Sequence, residues 1–219
     1  MKIKLSKQLT IAFVFNLIIV GLEIIGLVLS VNRHGIKVFC FYTENSNYFA
    51  LIVSFVFCIS YLFNKTTIKT WLIAIRFIST VCLTITLIIV LCVLVPMYPS
   101  NFVLWMFKTS NLYQHLLCPV LSIVSFLWFE PKIRLKKNII IFALIPTIIY
   151  GCACIILNLL KIITGPYPFF YVYALPWYVT VCSLFGVLTI AILITIIIFY
   201  VHNKPFKKQT FLKKSNNHI

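Results

Sequence analysis

Phe41-Tyr42-Thr43-Glu44-Asn45-Ser46-Asn47-Tyr48-Phe49 places a carboxylate and four small polar residues at the mouth of an apolar run that continues to Phe63. A bilayer-spanning helix needs about 20 apolar residues, and residues 44–63 supply them. A second polar cluster, Ser110-Asn111-Leu112-Tyr113-Gln114-His115, opens a later apolar run in the same way. Reading outward from these two stretches, six segments qualify as spans: about 9–31, 44–63, 71–95, 111–129, 138–160 and 177–201. The runs are long and unbroken, without the alternation of barrel strands. The predicted fold is therefore all-α, a polytopic bundle of six transmembrane helices over residues 1–203, followed by a basic tail over 204–219.

The whole chain agrees with that reading. Of 219 residues, 62% are hydrophobic and 10% are charged, whereas charged residues make up about a quarter of a soluble domain. The net charge of +16 would suit a nucleic-acid partner, but the Lys and Arg fall between the apolar runs, so position explains them and membrane lipid is the expected partner. Of 19 basic residues, 15 lie in the N-terminus, the second and fourth connections and the tail. Arg76 belongs to this set if its stem snorkels back to the interface. The other four, Arg33, Lys37, Lys108 and Lys161, face the opposite side. The positive-inside rule then puts both termini in the cytoplasm. The first run exceeds the length of a signal-peptide core, so it reads as a retained span. Richness in Ile, Lys, Asn and Phe points to an AT-rich bacterial genome and a cytoplasmic membrane location.

The eight cysteines form no CxxC pair and no Cys/His spacing of a zinc site, so no metal and no cofactor is expected. They read as small hydrophobes, with a bridge through Cys40 left open. The fifth connection, Thr164 to Tyr178, is rich in aromatics and proline and reads as an interfacial anchor. The tail from His202 reads as a disordered basic segment against anionic lipid.

With that orientation, three spans bring polar groups to one leaflet. Thr43 and Asn47 are four residues apart and share a helix face, as do Asn111 and His115. Glu23, inside the first span, falls in the same half. An ionisable group there costs about 2.5–3.5 kcal/mol on insertion scales and marks a functional position. It is either protonated or paired with Arg33, His34 or His115, and in the last case it would tune His115. The plainer alternatives are that Thr43, Asn45, Ser46 and Asn111 cap helix starts, that His115 is a structural histidine, and that Glu44 is solvated. Glu130, before Pro131, marks the end of the fourth span. The chain has no GxSxG, HExxH, P-loop or GxGxxG motif, and it has no Asp at all. Among nucleophilic arrangements this leaves Thr43 with His115 as base, and Asn45, Asn47 or Asn111 as donor to an oxyanion.

Phe41, Tyr42, Thr43, Ser46 and Asn47, then Asn111, His115 and Pro119, then Tyr167, Pro168 and Phe169 resemble the Pr6Pr family of bacterial six-span proteins. More distantly, they are similar to the androgen-induced six-span threonine hydrolases. The resemblance implies an intramembrane Thr nucleophile and His base acting on fatty-acid esters, with Thr43 and His115 in those roles. Two other functions remain open from the residues. One is a substrate-capture subunit of a small-molecule importer, and the other is a scaffold in which the polar residues only cap helices.

Overall fold

In hydrocarbon every backbone N–H and C=O must be paired within the protein, so continuous apolar sequence becomes helix. The computed structural model describes the backbone from Lys2 to Asn216 and side chains from Lys7 to Lys204. There is no strand among the described residues. The helices are α1 (Lys2–His34), α2 (Tyr42–Phe63), α3 (Thr70–Met97), the short α4 (Phe102–Phe107), α5 (Leu112–Phe129), α6 (Ile139–Leu159) and α7 (Trp177–Asn216). All but α4 are long and apolar enough to cross a membrane. The predicted spans stand within a few residues, and α4 is too short to span, as its length indicated. The disordered tail does not stand: the backbone of α7 stays helical to Asn216, in keeping with the helix-favouring Lys, Gln and Leu of that stretch. The last three residues lie outside the described set.

α3 is the axis of the bundle. It packs against α2, α5, α6 and α7, while α1 lies against α2 and α5. Two thirds (67%) of the apolar window of α3 is buried, against 11% for α6, whose Ile141, Phe142 and Ile149 face outward. All eight cysteines are free, so no bridge forms through Cys40.

Prolines set the winding. Three π-helical stretches, Val90–Leu94, Leu112–Leu117 and Ser125–Phe129, each end two residues before a proline, namely Pro96, Pro119 and Pro131. A proline ring crowds the carbonyl four residues back and offers no N–H, so the preceding turn widens. Pro146 in α6 is accommodated without such a stretch.

Arg76 does not snorkel. Its side chain is fully buried beside an equally buried Glu130, because the bundle supplies what water would have. Nη2 and Nε of Arg76 reach Glu130 Oε1 at 2.7 and 3.0 Å. Nη1 donates to Ser54 Oγ at 3.2 Å and Nη2 to Ser122 Oγ at 3.5 Å. Asn16 Nδ2 and Ser125 Oγ donate to the same carboxylate oxygen at 3.2 and 2.9 Å. Glu130 does close the fourth span, and it also joins α1, α2, α3 and α5 through one polar cluster. Just beyond it, Lys132 Nζ donates to the Leu127 carbonyl at 2.6 Å, satisfying one of the acceptors left free at the end of α5.

Breaking a buried pair from one side leaves an uncompensated charge. Arg76→Met is expected to cost about 3–5 kcal/mol, with much of the loss recovered in Arg76→Met/Glu130→Leu, measured by reversible unfolding in detergent. Lys132 gives a pH signature. Burial lowers its pKa from 10.5 to about 8, with Glu130 opposing. The unfolded chain therefore binds more protons between those values, and stability should rise from pH 8 to 10.5 and be flat below. Thermal midpoints across that range should lose this component in Lys132→Met.

Candidate functional site

α2 starts without a side-chain cap. Its N-cap is Phe41, so Thr43, Asn45 and Ser46 are not capping residues. The first-turn N–H of Thr43 is instead satisfied from a distance, by the Tyr167 hydroxyl at 3.3 Å. Tyr167 in turn donates to Thr43 Oγ1 at 3.5 Å. The loop after α6 thus sends part of its aromatic cluster inward. Tyr167, Phe169 and Phe170 are buried, whereas Tyr173, Trp177 and Tyr178 remain exposed as an interfacial anchor would be. Burial pushes the Tyr167 phenol up to about 12, its hydrogen bonds with Thr43 opposing, so it stays a donor at neutral pH.

Thr43 and His115 line one cavity of about 220 Å³, together with Arg33, His34, Glu44 and Tyr167. No hydrogen bond joins Thr43 to His115 among the described residues. The shared helix face expected for Asn111 and His115 is seen in their contacts, since both reach α4. Asn111 Nδ2 donates to the Leu104 carbonyl at 2.9 Å, and His115 Nδ1 meets the Trp105 carbonyl at 2.7 Å. A carbonyl oxygen only accepts, so His115 carries its proton on Nδ1 and keeps the Nε2 lone pair free for a proton.

A second cavity of about 190 Å³ shares Thr43 and Tyr167 with the first. Its other walls are mostly apolar, including Ile85, Ile89, Ile148, Ile155, Leu184 and Val187 of α3, α6 and α7. The hydroxyls of Thr86 and Thr147 that also line it are bonded to Ser46 and Tyr42. Ile148 is exposed at its edge, on the flank where α6 and α7 face the surroundings. Thr43 therefore stands in a partition between a polar and an apolar chamber.

The amides do not offer the donors that the sequence suggested for an oxyanion. Asn45 Nδ2 is held by the Phe39 carbonyl at 2.9 Å. Asn47 Nδ2 is held by the Thr43 and Gln114 carbonyls at 2.6 and 3.2 Å. Ser46 Oγ bonds the Thr43 carbonyl and Thr86 Oγ1 at 2.9 and 2.8 Å. Ser46 and Asn47 thus brace the backbone at Thr43, Asn45 ties the start of α2 to Phe39, and Asn111 ties α5 to α4. Tyr167, whose hydroxyl already donates to Thr43 Oγ1, is the donor beside the threonine, and sequence reasoning gave it only a place in a motif.

The carboxylates also differ from expectation. Glu44 is buried rather than solvated, accepting from Ser30 Oγ at 2.5 Å and Gln114 Nε2 at 2.6 Å. Glu23 is buried but pairs with neither Arg33, His34 nor His115. Neither of its oxygens has an N–H or O–H partner, the weak Cys118 thiol is the donor beside it, and Glu44 is the charge acting on it.

Fold and site define a six-helix membrane-type bundle with a polar chamber at one end. Comparison with protein families, curated proteins and solved structures finds no match.

The position of Tyr167 depends on Gly165, which has φ +89° and where an added Cβ would lie 2.9 Å from Phe170 Cβ. Gly165→Ala should cost about 1–3 kcal/mol of stability, read by thermal unfolding, and should raise tyrosine and tryptophan accessibility to a quencher.

Proposed function

We propose that the protein is a lipid-ester hydrolase with Thr43 as nucleophile and His115 as base. The observation that carries this reading is the position of Thr43 in the wall between an apolar and a polar chamber. An ester has the same division, with an acyl chain on one side of its carbonyl and a polar group on the other. The acyl chain enters between α6 and α7 into the apolar chamber, which leaves the carbonyl at Thr43. Thr43 Oγ attacks the carbonyl carbon, and its proton passes to His115 Nε2, directly or through one water held in the polar chamber. Tyr167 donates to the developing oxyanion. His115 then protonates the departing alcohol, and in a second step takes a proton from the water that attacks the acyl-enzyme and returns it to Thr43 Oγ as the acid leaves.

The distribution of Lys and Arg supports both termini being cytoplasmic, with the chambers at the outer leaflet of a cell membrane. Residue types at Thr43, His115 and Tyr167 support the resemblance to the six-span threonine hydrolases.

The test is turnover of long-chain fatty-acid esters, and labelling by a fluorophosphonate probe, on protein purified in detergent. Thr43→Ala should abolish both. His115→Ala should slow turnover about 10²–10⁴-fold while the fold is retained. Equal turnover and labelling in wild type and Thr43→Ala would overturn the proposal and leave a binding or scaffold role.

A further inference from the structure

The outer half of the bundle holds a second group of buried polar atoms that the hydrolytic reading does not use. Glu23 on α1, Asn47 and Tyr48 on α2, and Gln114 on α5 contribute five oxygen atoms with no hydrogen-bond partner among the described residues. These are both carboxylate oxygens of Glu23, Asn47 Oδ1, Gln114 Oε1 and the Tyr48 hydroxyl. Glu23, Asn47 and Gln114 are each at most 1% exposed. The amide assignments are fixed by chemistry. Asn47 Nδ2 faces two carbonyls and Gln114 Nε2 faces the Glu44 carboxylate, and those partners only accept. The unpartnered atom of each amide is therefore its oxygen.

The three helices meet at this point. α1 is pressed onto α5 one turn beyond Glu23, where a Cβ on Gly26 would lie 3.1 Å from Gln114 Cγ. Ser30 and Gln114 both donate to Glu44, and Asn47 donates to the Gln114 carbonyl. Tyr48 lies beside Glu44 and within electrostatic reach of Glu23. Beside Glu23 the Cys118 thiol is a weak donor, and no lysine or arginine is paired with either glutamate here among the described residues. The one ion pair among the described residues is Arg76–Glu130, in the other polar cluster.

We propose that these oxygens form a binding site for a small monovalent cation of the sodium type. Hard cations take oxygen ligands from carboxylates, amides and hydroxyls, and the neighbouring Cys118 thiol is too soft to compete for one. A single charge matches the site, because Glu44 is already compensated by two donors and an ionised Glu23 has only the weak Cys118 thiol to answer it. Entry runs through the polar chamber, which Glu44 lines. The site borders the Thr43 chemistry, sharing the polar chamber and, through Asn47, a bond to the Thr43 carbonyl, but it uses none of the reacting atoms.

The experiment is scintillation-proximity binding of ²²Na⁺ to the purified protein in choline chloride, with thermal midpoints in sodium, potassium and choline chloride at equal ionic strength. Saturable binding displaced by unlabelled sodium is expected, with the highest midpoint in sodium. Glu23→Gln should weaken binding about ten-fold or more, and Tyr48→Phe, which keeps the ring packing, should weaken it several-fold. Thr43→Ala should bind as wild type does, separating this result from the fate of the hydrolase reading. Absence of saturable ²²Na⁺ binding, stronger displacement by calcium than by sodium, or equal midpoints in sodium and choline would each overturn the proposal. Should Glu23→Gln not fold, undiminished binding in Tyr48→Phe would overturn the part of the site assigned to that hydroxyl, and the wild-type measurement still decides the rest.

Discussion

One guanidinium, taken out of water and surrounded by oxygens, holds the centre of this bundle together. Helices in lipid gain little from burying apolar side chains against one another, since the tails around them are as apolar as leucine. Specific contacts must then choose which faces meet. Arg76 makes that choice for α1, α2, α3 and α5 together, because Asn16, Ser54, Ser122, Ser125 and Glu130 satisfy it or its partner from those helices. A different rotation of any of these helices would strand a donor or the charge itself. A buried ion pair is a weak source of net stability, but removing it from one side is costly, so it acts mainly as a register lock.

The polar chambers at the other end rest on that arrangement. With the helices locked, α2 and α5 bring Thr43 and His115 to one cavity, and α1 lays Glu23 against Gln114 and Cys118. The loop after α6 completes the site by folding Tyr167 onto the start of α2. Its hydroxyl takes up an N–H that the helix itself cannot satisfy, so the same contact that ends the helix also furnishes the reactive-looking threonine with a neighbour.

Much of this was legible in the sequence and some was not, for identifiable reasons. Span number and limits follow from runs of apolar residues, which depend only on composition along the chain. The convergence of Thr43 and His115 at one end followed from span order. Arg76 was misplaced because hydropathy treats each charge alone, and its partner Glu130 lies 54 residues away. Glu44 was misjudged for the same reason, since Ser30 and Gln114 shield it from two other helices. Asn45, Asn47 and Asn111 looked like free donors because a sequence does not show which carbonyls their amides have already engaged. Tyr167 carried no signal beyond its motif, since a long loop does not announce which aromatics turn inward.

The π-helical stretches that end two residues short of Pro96, Pro119 and Pro131 have a bearing on how such a chain tolerates change. Each stretch holds surplus residues in a wider coil, and α5 has one at either end. Dropping one residue between Leu112 and Leu117 would let the coil tighten to ordinary pitch and absorb the loss, so the helix on either side would keep its facing. The histidine end and the glutamate end of α5 thus each carry their own slack, as two spare links in a single chain. A one-residue loss at either link would be taken up there, leaving the other end untouched.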